Sequence, residues 1–336
     1  MNKINKKINI KKFYCTFNIF KIICKVCVLF YLFNFFLIYI IKNEKEIISN
    51  KNPSWSIIYD DFHLLVNKYK DLIKTEKKIS DNSPIWVMWY QGIEKAPPLI
   101  KTCIKSIIKN AEKHPVHILD KNNYYKYISL PSYILKKFKK KKFTITHFSD
   151  ILRTGLLTIH GGYWIDSTYL ITSPLKTINS SLFTLKLSHC NPHYLTKCLW
   201  AGNFLATSNN SFIATYSYNA LLQYWKKYNT LINYFILDHI IYIAYQNVPE
   251  FRKLIANLQY IDCNIFILAK ILDIDAYKSL DICTFNKLRK HLKVKIKNKS
   301  NKTVYGYIID KYKLSDNNIN LSSIIEKNEK IKEKNK

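Results

Sequence analysis

Arginine is scarce in this chain of 336 residues, although lysine is abundant. Of its 53 basic residues only Arg153, Arg252 and Arg289 are arginines, and the formal net charge is +30. A charge of that size is typical of proteins that bind nucleic acid, but base and phosphate readers favour the bidentate guanidinium group. A chain rich in Lys, Asn, Ile and Tyr and poor in Arg is what a strongly AT-biased genome produces. We therefore expect no nucleic-acid partner.

Cysteines at C-x-x-C spacing are lacking outside the N-terminal segment. Five cysteines lie in the bulk of the chain: Cys103, Cys190, Cys198, Cys263 and Cys283. None of these five forms a C-x-x-C pair or shows metal-ligand spacing, which argues against a zinc site. The odd count allows at most two disulfides with one thiol left over. That pattern suits a lumenal domain without requiring one.

A signal-peptidase cleavage site is the third absence. Residues 22–41, "IICKVCVLFYLFNFFLIYII", form an apolar run interrupted only by Lys25 and Asn34, close to the ~20 residues that cross a bilayer. A cleaved secretory signal is the competing interpretation, but no small-x-small sequence follows Ile41. Lysines are concentrated in residues 1–21, so the positive-inside rule assigns this basic tail to the cytoplasm. The sequence predicts an uncleaved anchor and a single-pass type II membrane protein.

The rest of the chain divides by composition into three parts. Residues 42–83 are charged and low in glycine, with an amphipathic segment around Phe62, and we predict that they form a stem. The folded domain is predicted over residues 84–312. Residues 313–336 are rich in Asn, Lys and Glu and are predicted to be a disordered tail. We find no internal repeat.

Alternating strand and helix signals mark the start of the predicted domain. "IWVMWYQG" reads as an apolar strand, "APPLIKTCIKSIIKNAEK" as a helix with its prolines at the start, and "VHILD" as a second strand. Strand, helix and strand at this spacing predict a parallel pair with a right-handed crossover. The stretch "THFSDILRTGLLTIHGGYWIDST" then gives helix and strand again, with Ser149 as the predicted N-cap of the helix.

Two of only six glycines stand side by side in "HGGYWIDST", residues 160–168. Adjacent glycines can both take positive φ and end a helix, and the three bulky residues that follow are typical of a strand entering a core. Asp166 then lies at the carboxyl end of that strand, where open α/β sheets bind ligands. We expect Asp150 and Arg153, in the first turn of the predicted helix, to converge on the same crevice. Taken singly, each residue also suits an ordinary role as a helix-end ion pair or turn former.

The central stretch carries a resemblance to a known family. "SDILRTGLLTIHGGYWIDST" resembles the S-D-x-x-R-x-x-x-L-x-x-x-G-G-x-x-x-D signature of capsular polysaccharide synthesis proteins, which are relatives of the DXD-sugar-binding glycosyltransferases. "WVMWYQG" looks like the first, nucleotide-side strand of that family. "YWKKYNTLINYFILDHIIYIAY" is similar to its C-terminal helical region. The spacing of the central motif is matched without gaps.

The resemblance implies a fold and a reaction. The fold would be a GT-A-like α/β fold with a mostly parallel sheet and a helical C-terminal half, preceded by one transmembrane helix. The donor would be a nucleotide-sugar, the acceptor a glycan, glycolipid or glycoprotein, and the anomeric configuration would be retained. In a eukaryote the domain would face the Golgi or ER lumen, and in a bacterium the protein would lie in the inner membrane.

The resemblance also implies roles for particular residues. Asp150 and Asp166 would hold the donor ribose, the sugar hydroxyls and a metal. Arg153, or a lysine, would join Mn²⁺ or Mg²⁺ in stabilising the departing diphosphate. Asp238, together with His239, would approach from the C-terminal half as an acceptor-side base or a further ligand.

Two further points concern the base of the donor and the metal. The rings of Trp86, Trp89 and Tyr90 would stack against the base, although such aromatics are also ordinary core residues. Where the wider family has D-x-D, Thr168 takes the place of the second acid. Thr168 offers a hydroxyl group but no charge, so we expect either weak metal binding or a metal held mainly by the phosphates of the donor.

Two interpretations from other classes of protein remain open. One is a catalytically inactive, membrane-tethered sugar-binding or scaffold protein with the same fold, which would bind a donor without hydrolysing it. The other is a domain that docks on an anionic surface through the run "KKFKKKKF" at residues 136–143, for which a solvated helix face is the simpler explanation.

Overall fold

The computed structural model describes residues 54–191, 193–276, 282–298 and 300–315. The predicted cytoplasmic tail and anchor therefore lie outside the described residues, as does nearly all of the predicted disordered tail. Among the described residues, no helix is both long enough and apolar enough to cross a membrane. The described parts of 54–226 and 230–315 belong to one compact unit.

Eleven short strands are interleaved with helices over this part of the chain. In chain order the strands are β1 (Ile85–Met88), β2 (Val116–Leu119), β3 (Gly162–Ile165), β4 (Tyr169–Ile171), β5 (Leu182–Thr184), β6 (Lys186–Leu187), β7 (Phe204–Thr207), β8 (Tyr260–Ile261), β9 (Phe285–Lys287), β10 (Lys297–Asn298) and β11 (Asn301–Lys302). The helices are α1 (Trp55–Tyr69), α2 (Pro98–Lys109), α3 (Ser132–Lys139), α4 (Ile145–His160), α5 (Phe212–Lys227), α6 (Ile236–Asn247), α7 (Pro249–Asn257), α8 (Leu268–Ile271) and α9 (Val304–Lys311).

The largest sheet has five strands in the order β2-β1-β3-β7-β5. Strand β1 pairs in parallel with β2 and β3, whereas β7 pairs antiparallel with both β3 and β5. Four strands thus run in one direction and only β7 runs in the other, so two of the four pairings are parallel and two are antiparallel. The predicted α/β class is confirmed, and the sheet is a mixed one that contains parallel pairs. Strands β1, β3 and β7 are buried along their whole length, as expected for strands that are covered on both faces.

The predicted β-α-β unit is present. Helix α2 begins with Pro98 in its first turn, where the missing N–H costs nothing. Its isoleucines at positions 100, 104 and 107 are fully buried in the main core. Strands β1 and β2 then pair in parallel, with Ile85 opposite Val116. The apolar spacing on the helix and the two apolar runs therefore fix this local arrangement.

Helix α4 starts five residues earlier than the sequence analysis predicts. Its N-cap is Thr144, whose side chain accepts a hydrogen bond from the backbone N–H of His147, so the prediction of Ser149 as N-cap is wrong. The end of the helix is as predicted, at Gly161, where φ is 65°. Gly162 also has positive φ, and a Cβ there would overlap the carbonyl group of Pro84. Both glycines are needed for β3 to lie this close to its neighbours.

The compact unit begins well before Pro84, which corrects the predicted boundary between stem and domain. Helix α1 packs on α6, with Ile58, Phe62 and Val66 each 1% exposed. Ile79 belongs to the same buried core as the central sheet. The amphipathic pattern of α1 thus buries an apolar face against the domain itself rather than forming a separate stem.

The described part of the chain contains two disulfides, Cys190–Cys198 and Cys263–Cys283, and Cys103 is a buried free thiol there. This agrees with the expected limit of two bridges and one free cysteine. The second disulfide closes the chain segment that leads into β9. Strand β9 pairs antiparallel with β4, and its last residue, Lys287, lies opposite Tyr169.

Replacing Phe62 by Ala tests the packing of α1. Because the ring is buried, Phe62→Ala should lower the free energy of unfolding of the whole domain by about 3–5 kcal/mol. The matched control is Leu64→Ala on the same helix, where the side chain is 68% exposed and the expected change is within about 0.5 kcal/mol. Denaturant unfolding of residues 54–336 measures both. Equal stabilities for the two variants would mean that α1 does not belong to the folded domain.

Candidate active site

Asp166 directly follows β3, at the carboxyl end of the parallel strands. Its backbone N–H donates to the carbonyl group of Asn203 at 3.1 Å, and its own carbonyl accepts from the N–H of Tyr169 at 3.0 Å. Tyr169 in turn donates its hydroxyl proton to the side chain of Asn203 at 2.7 Å. The turn between β3 and β4 is therefore fixed on both sides of Asp166, and the predicted position at the strand end is confirmed.

The carboxylate of Asp166 is held by three donors. Oδ1 accepts from Trp164 Nε1 at 2.9 Å and from Arg153 Nη2 at 3.2 Å, while Oδ2 accepts from Lys287 Nζ at 2.8 Å. Burial acts to raise the pKa of Asp166, but the charges of Lys287 and Arg153 and the hydrogen bonds outweigh it and hold that pKa below its usual range. Asp166 is therefore ionised at neutral pH.

Arg153 is buried between two acids. Its Nη2 lies 3.2 Å from Asp150 Oδ1 and 3.2 Å from Asp166 Oδ1, and Nη1 donates to the carbonyl group of Gly202. The guanidinium also lies over the ring of Trp164, 5.3 Å from its centre. The structure thus brings together Asp150, Arg153 and Asp166 as predicted, although the two helical residues lie inside α4 and not in its first turn.

Asp150 has a second partner that the sequence analysis did not identify. Trp225 Nε1 donates to His147 Nε2 at 2.6 Å, so the proton of a neutral His147 is on Nδ1. That nitrogen lies 3.5 Å from Asp150 Oδ2. Asp150 therefore lies between Arg153 and His147, and its carboxylate compensates part of the charge of the guanidinium.

Lys287 is the functional candidate that the sequence analysis missed. Its Nζ donates to Asp166 Oδ2 and to Thr168 Oγ1, both at 2.8 Å, and lies 4.7 Å from the ring centre of Tyr169. The pairing of β9 with β4 brings it there from 121 residues away along the chain. Nothing local distinguishes this lysine in a lysine-rich sequence, so only the long-range strand pairing could have identified it.

Asp238 approaches the same place from the first turn of α6. Its Oδ1 accepts from Trp200 Nε1 at 3.1 Å. A Cβ placed on Gly202 would be 3.2 Å from Asp238 Oδ1 and 3.7 Å from Arg153 Nη1, so the carboxyl group lies beside the guanidinium. Burial raises the pKa of Asp238 to about 6; Asp150 adds to the effect, and Trp200 and Arg153 oppose it.

His239 does not accompany Asp238 into the site, which corrects the joint prediction. Its ring packs on Trp55 of α1, with ring centres 4.0 Å apart, and its Nδ1 lies 3.3 Å from the hydroxyl group of Tyr59. Successive helix residues point about 100° apart, so only one of the pair can face Arg153. His239 belongs to the packing of α1 on α6.

The three predicted base-stacking aromatics are in different environments. Trp86 is 2% exposed, stacks on His117 and donates to the carbonyl group of Gly161 at 3.0 Å. Its ring has no open face, so the structure contradicts its predicted role. Trp89 and Tyr90 follow β1 at the carboxyl edge of the sheet and are partly exposed. The buried indole N–H of Trp89 has no hydrogen-bond partner within the described part of the chain.

The groups at Asp166 and Thr168 do not fit a divalent metal as they are arranged. The position between the two side chains is taken by the ammonium group of Lys287, and Arg153 is bonded to the other carboxylate oxygen. Among the described residues, no group of three or more His, Cys, Asp and Glu side chains could hold a metal ion. The Mn²⁺ or Mg²⁺ predicted at Asp166 and Thr168 stays a prediction.

Comparison with known proteins gives one family match. The sequence model described as capsular polysaccharide synthesis protein matches residues 28–312. No curated protein matches the chain. Among solved structures, the chain is similar to "PaToxG Glycosyltransferase", with 14% sequence identity and a TM-score of 0.39, over 60% of this chain and 82% of that one.

The raised pKa of Asp238 predicts a pH-dependent stability. Its pKa is higher folded than unfolded, so ionisation destabilises the fold progressively between about pH 4 and pH 6, by about 3 kcal/mol in all. Asp238→Asn keeps the acceptor for Trp200 and should therefore be more stable than wild type above pH 6. The gain should vanish below pH 4. Denaturant unfolding at pH 3.5 and pH 7.5 measures this, and an equal effect at both would contradict the assignment.

Proposed function

The chain belongs to the capsular polysaccharide synthesis protein family, and from this premise we propose that it is a glycosyltransferase. The reaction moves a sugar from a nucleotide-sugar donor to a glycan, glycolipid or glycoprotein acceptor. The observation that carries the proposal is the meeting of an ionised Asp166 with Arg153 and Lys287 at the carboxyl end of the parallel strands. This edge of an α/β sheet is where such folds bind ligands.

The chemistry of the donor matches these groups. When the bond between sugar C1 and the phosphate oxygen breaks, negative charge accumulates on the departing nucleoside diphosphate. Arg153 and Lys287 are fixed cations that favour this charge in a partly buried site. Asp166 Oδ2 accepts one hydrogen bond from Lys287, which leaves it able to accept another from a sugar or ribose hydroxyl group.

The acceptor side of the reaction is assigned to Asp238. An acceptor hydroxyl group must lose its proton as its oxygen forms a bond to C1 and the bond from C1 to phosphate breaks. For the anomeric configuration to be retained, that oxygen must approach C1 from the face on which the diphosphate leaves. With a pKa of about 6, Asp238 is mostly ionised at neutral pH and is still basic enough to take that proton. We also propose that Trp89 and Tyr90, at the end of β1, lie beside the donor base, and that the anomeric configuration is retained.

We further propose that residues 22–41 anchor the protein as a type II membrane protein, with the catalytic domain on the far side from the cytoplasm. The apolar run and the preceding lysines support this orientation, and two disulfides suit an oxidising compartment.

A C-terminal tag on the full chain should be protected from protease in sealed vesicles. Digestion of the tag in intact vesicles would contradict the orientation.

The test of the function is a screen of sugar nucleotides for binding and turnover. A true donor should raise the thermal midpoint by mass action and should be hydrolysed slowly, or transferred when an acceptor is present. Asp166→Asn should lower turnover by about 10²–10³-fold because the charge is lost from the site. Arg153→Lys should also lower it, because a single ammonium nitrogen cannot reproduce an arrangement in which Nη1 donates to Gly202 while Nη2 lies beside Asp150 and Asp166.

Lys290→Met provides the control, because Lys290 is exposed and outside the site. It should turn over the donor as wild type does. Binding of a sugar nucleotide without any hydrolysis or transfer would instead support the inactive, sugar-binding alternative. Full turnover by Asp166→Asn would show that Asp166 is a structural turn residue.

A further inference from the structure

We propose that Lys287 takes the place of the divalent metal, so that this protein binds its donor diphosphate and transfers the sugar without Mn²⁺ or Mg²⁺. The inference rests on the proposed function and concerns the same site. The inference starts from the space between the side chains of Asp166 and Thr168, where a metal ion bound to both residues would have to lie. The ammonium nitrogen of Lys287 occupies that position, at 2.8 Å from each side chain.

The number of donors on the ammonium group leaves one for a phosphate. A lysine ammonium has three N–H donors. Two of them are directed to Asp166 and Thr168, and no other described residue accepts a hydrogen bond from the ammonium group. The side chain of Lys287 is 17% exposed. It is therefore mostly shielded from solvent but still accessible to a ligand. A phosphate oxygen at this place would complete its hydrogen bonding and meet a positive charge.

The backbone around Lys287 is fixed, which makes the ammonium a preorganised group. The N–H of Lys287 donates to the carbonyl of Ile265 at 2.8 Å, and the N–H of Leu288 donates to the carbonyl of Thr168 at 2.9 Å. The ring of Tyr169 supports the ammonium from one side. A cation held in this way needs little reorganisation when charge develops on the leaving group.

Thr168 is consistent with a lysine at this position. A divalent metal favours charged oxygen ligands, and Thr168 offers only a neutral hydroxyl group. For a lysine, one carboxylate and one hydroxyl group are enough to orient the ammonium group. The carboxylate balances its single positive charge, and a second acid would leave an excess negative charge. A metal bound to Asp166 and Thr168 would also be repelled by the ammonium, which would have to leave. Thr168 in place of the second acid of D-x-D therefore suits Lys287, which carries one positive charge and needs only one carboxylate.

The experiment measures binding of a panel of nucleoside diphosphates to residues 54–336 by calorimetry, with EDTA or with Mn²⁺. Donor hydrolysis is measured under the same two conditions. Wild type should bind one of the diphosphates and hydrolyse the corresponding sugar nucleotide equally well, within about twofold, in both. Loss of both in EDTA and recovery with Mn²⁺ would overturn the inference while leaving the proposed function intact. No binding and no turnover in either condition would overturn both.

Variants at Lys287 provide the second readout. Lys287→Met should weaken diphosphate binding in EDTA by about 10- to 100-fold, the usual loss for a charge-assisted hydrogen bond. Mn²⁺ should restore part of that binding, because the position beside Asp166 is then open. Lys287→Arg should retain most of the affinity, and the exposed control Lys290→Met all of it. Unchanged affinity of a folded Lys287→Met variant in EDTA would contradict the proposal.

Discussion

The carboxylate of Asp166 between the cations of Arg153 and Lys287 is the constraint on which the site depends. These three side chains come from the end of β3, from the middle of α4 and from β9. A buried guanidinium is costly unless acids compensate it, and Asp150 and Asp166 do so on one nitrogen. The same carboxylate then orients Lys287. The architecture thus places two cations at the strand ends, where the acids hold them in position.

Features encoded locally were predictable from the sequence. The β1-α2-β2 unit follows from apolar spacing and from prolines at a helix start, and the end of α4 follows from the two glycines. The start of α4 was not predictable in the same way, because Thr144 and Ser149 are both good N-cap residues. The choice between them depends on how the preceding turn packs. The role of α1 was missed for a similar reason, since an amphipathic helix does not reveal what its apolar face will contact.

The part of the site that is encoded by neighbouring residues was predictable from the sequence, and the part that depends on long-range strand pairing was not. Asp150, Arg153 and Asp166 lie within one short motif, so their meeting depends on one helix and one strand. Lys287 joins them only through the pairing of β4 with β9, and no short-range signal in the sequence encodes that pairing. Trp86 was included in the predicted site because its residue type suits stacking on a base. Its position inside β1 instead buries its ring in the core. Residue type suggests the chemistry, and topology decides which residues take part in it.

The central claim is that the diphosphate of a donor binds at the ammonium group of Lys287 and beside Arg153. A crystal structure of residues 54–336 grown with Mn²⁺ and the preferred nucleoside diphosphate, with diffraction data recorded at the manganese absorption edge, tests it most directly. The account predicts a phosphate oxygen within hydrogen-bond distance of Lys287 Nζ and no manganese signal between Asp166 and Thr168. Manganese bound to Asp166 with Lys287 displaced, or a diphosphate bound away from both cations, would contradict it.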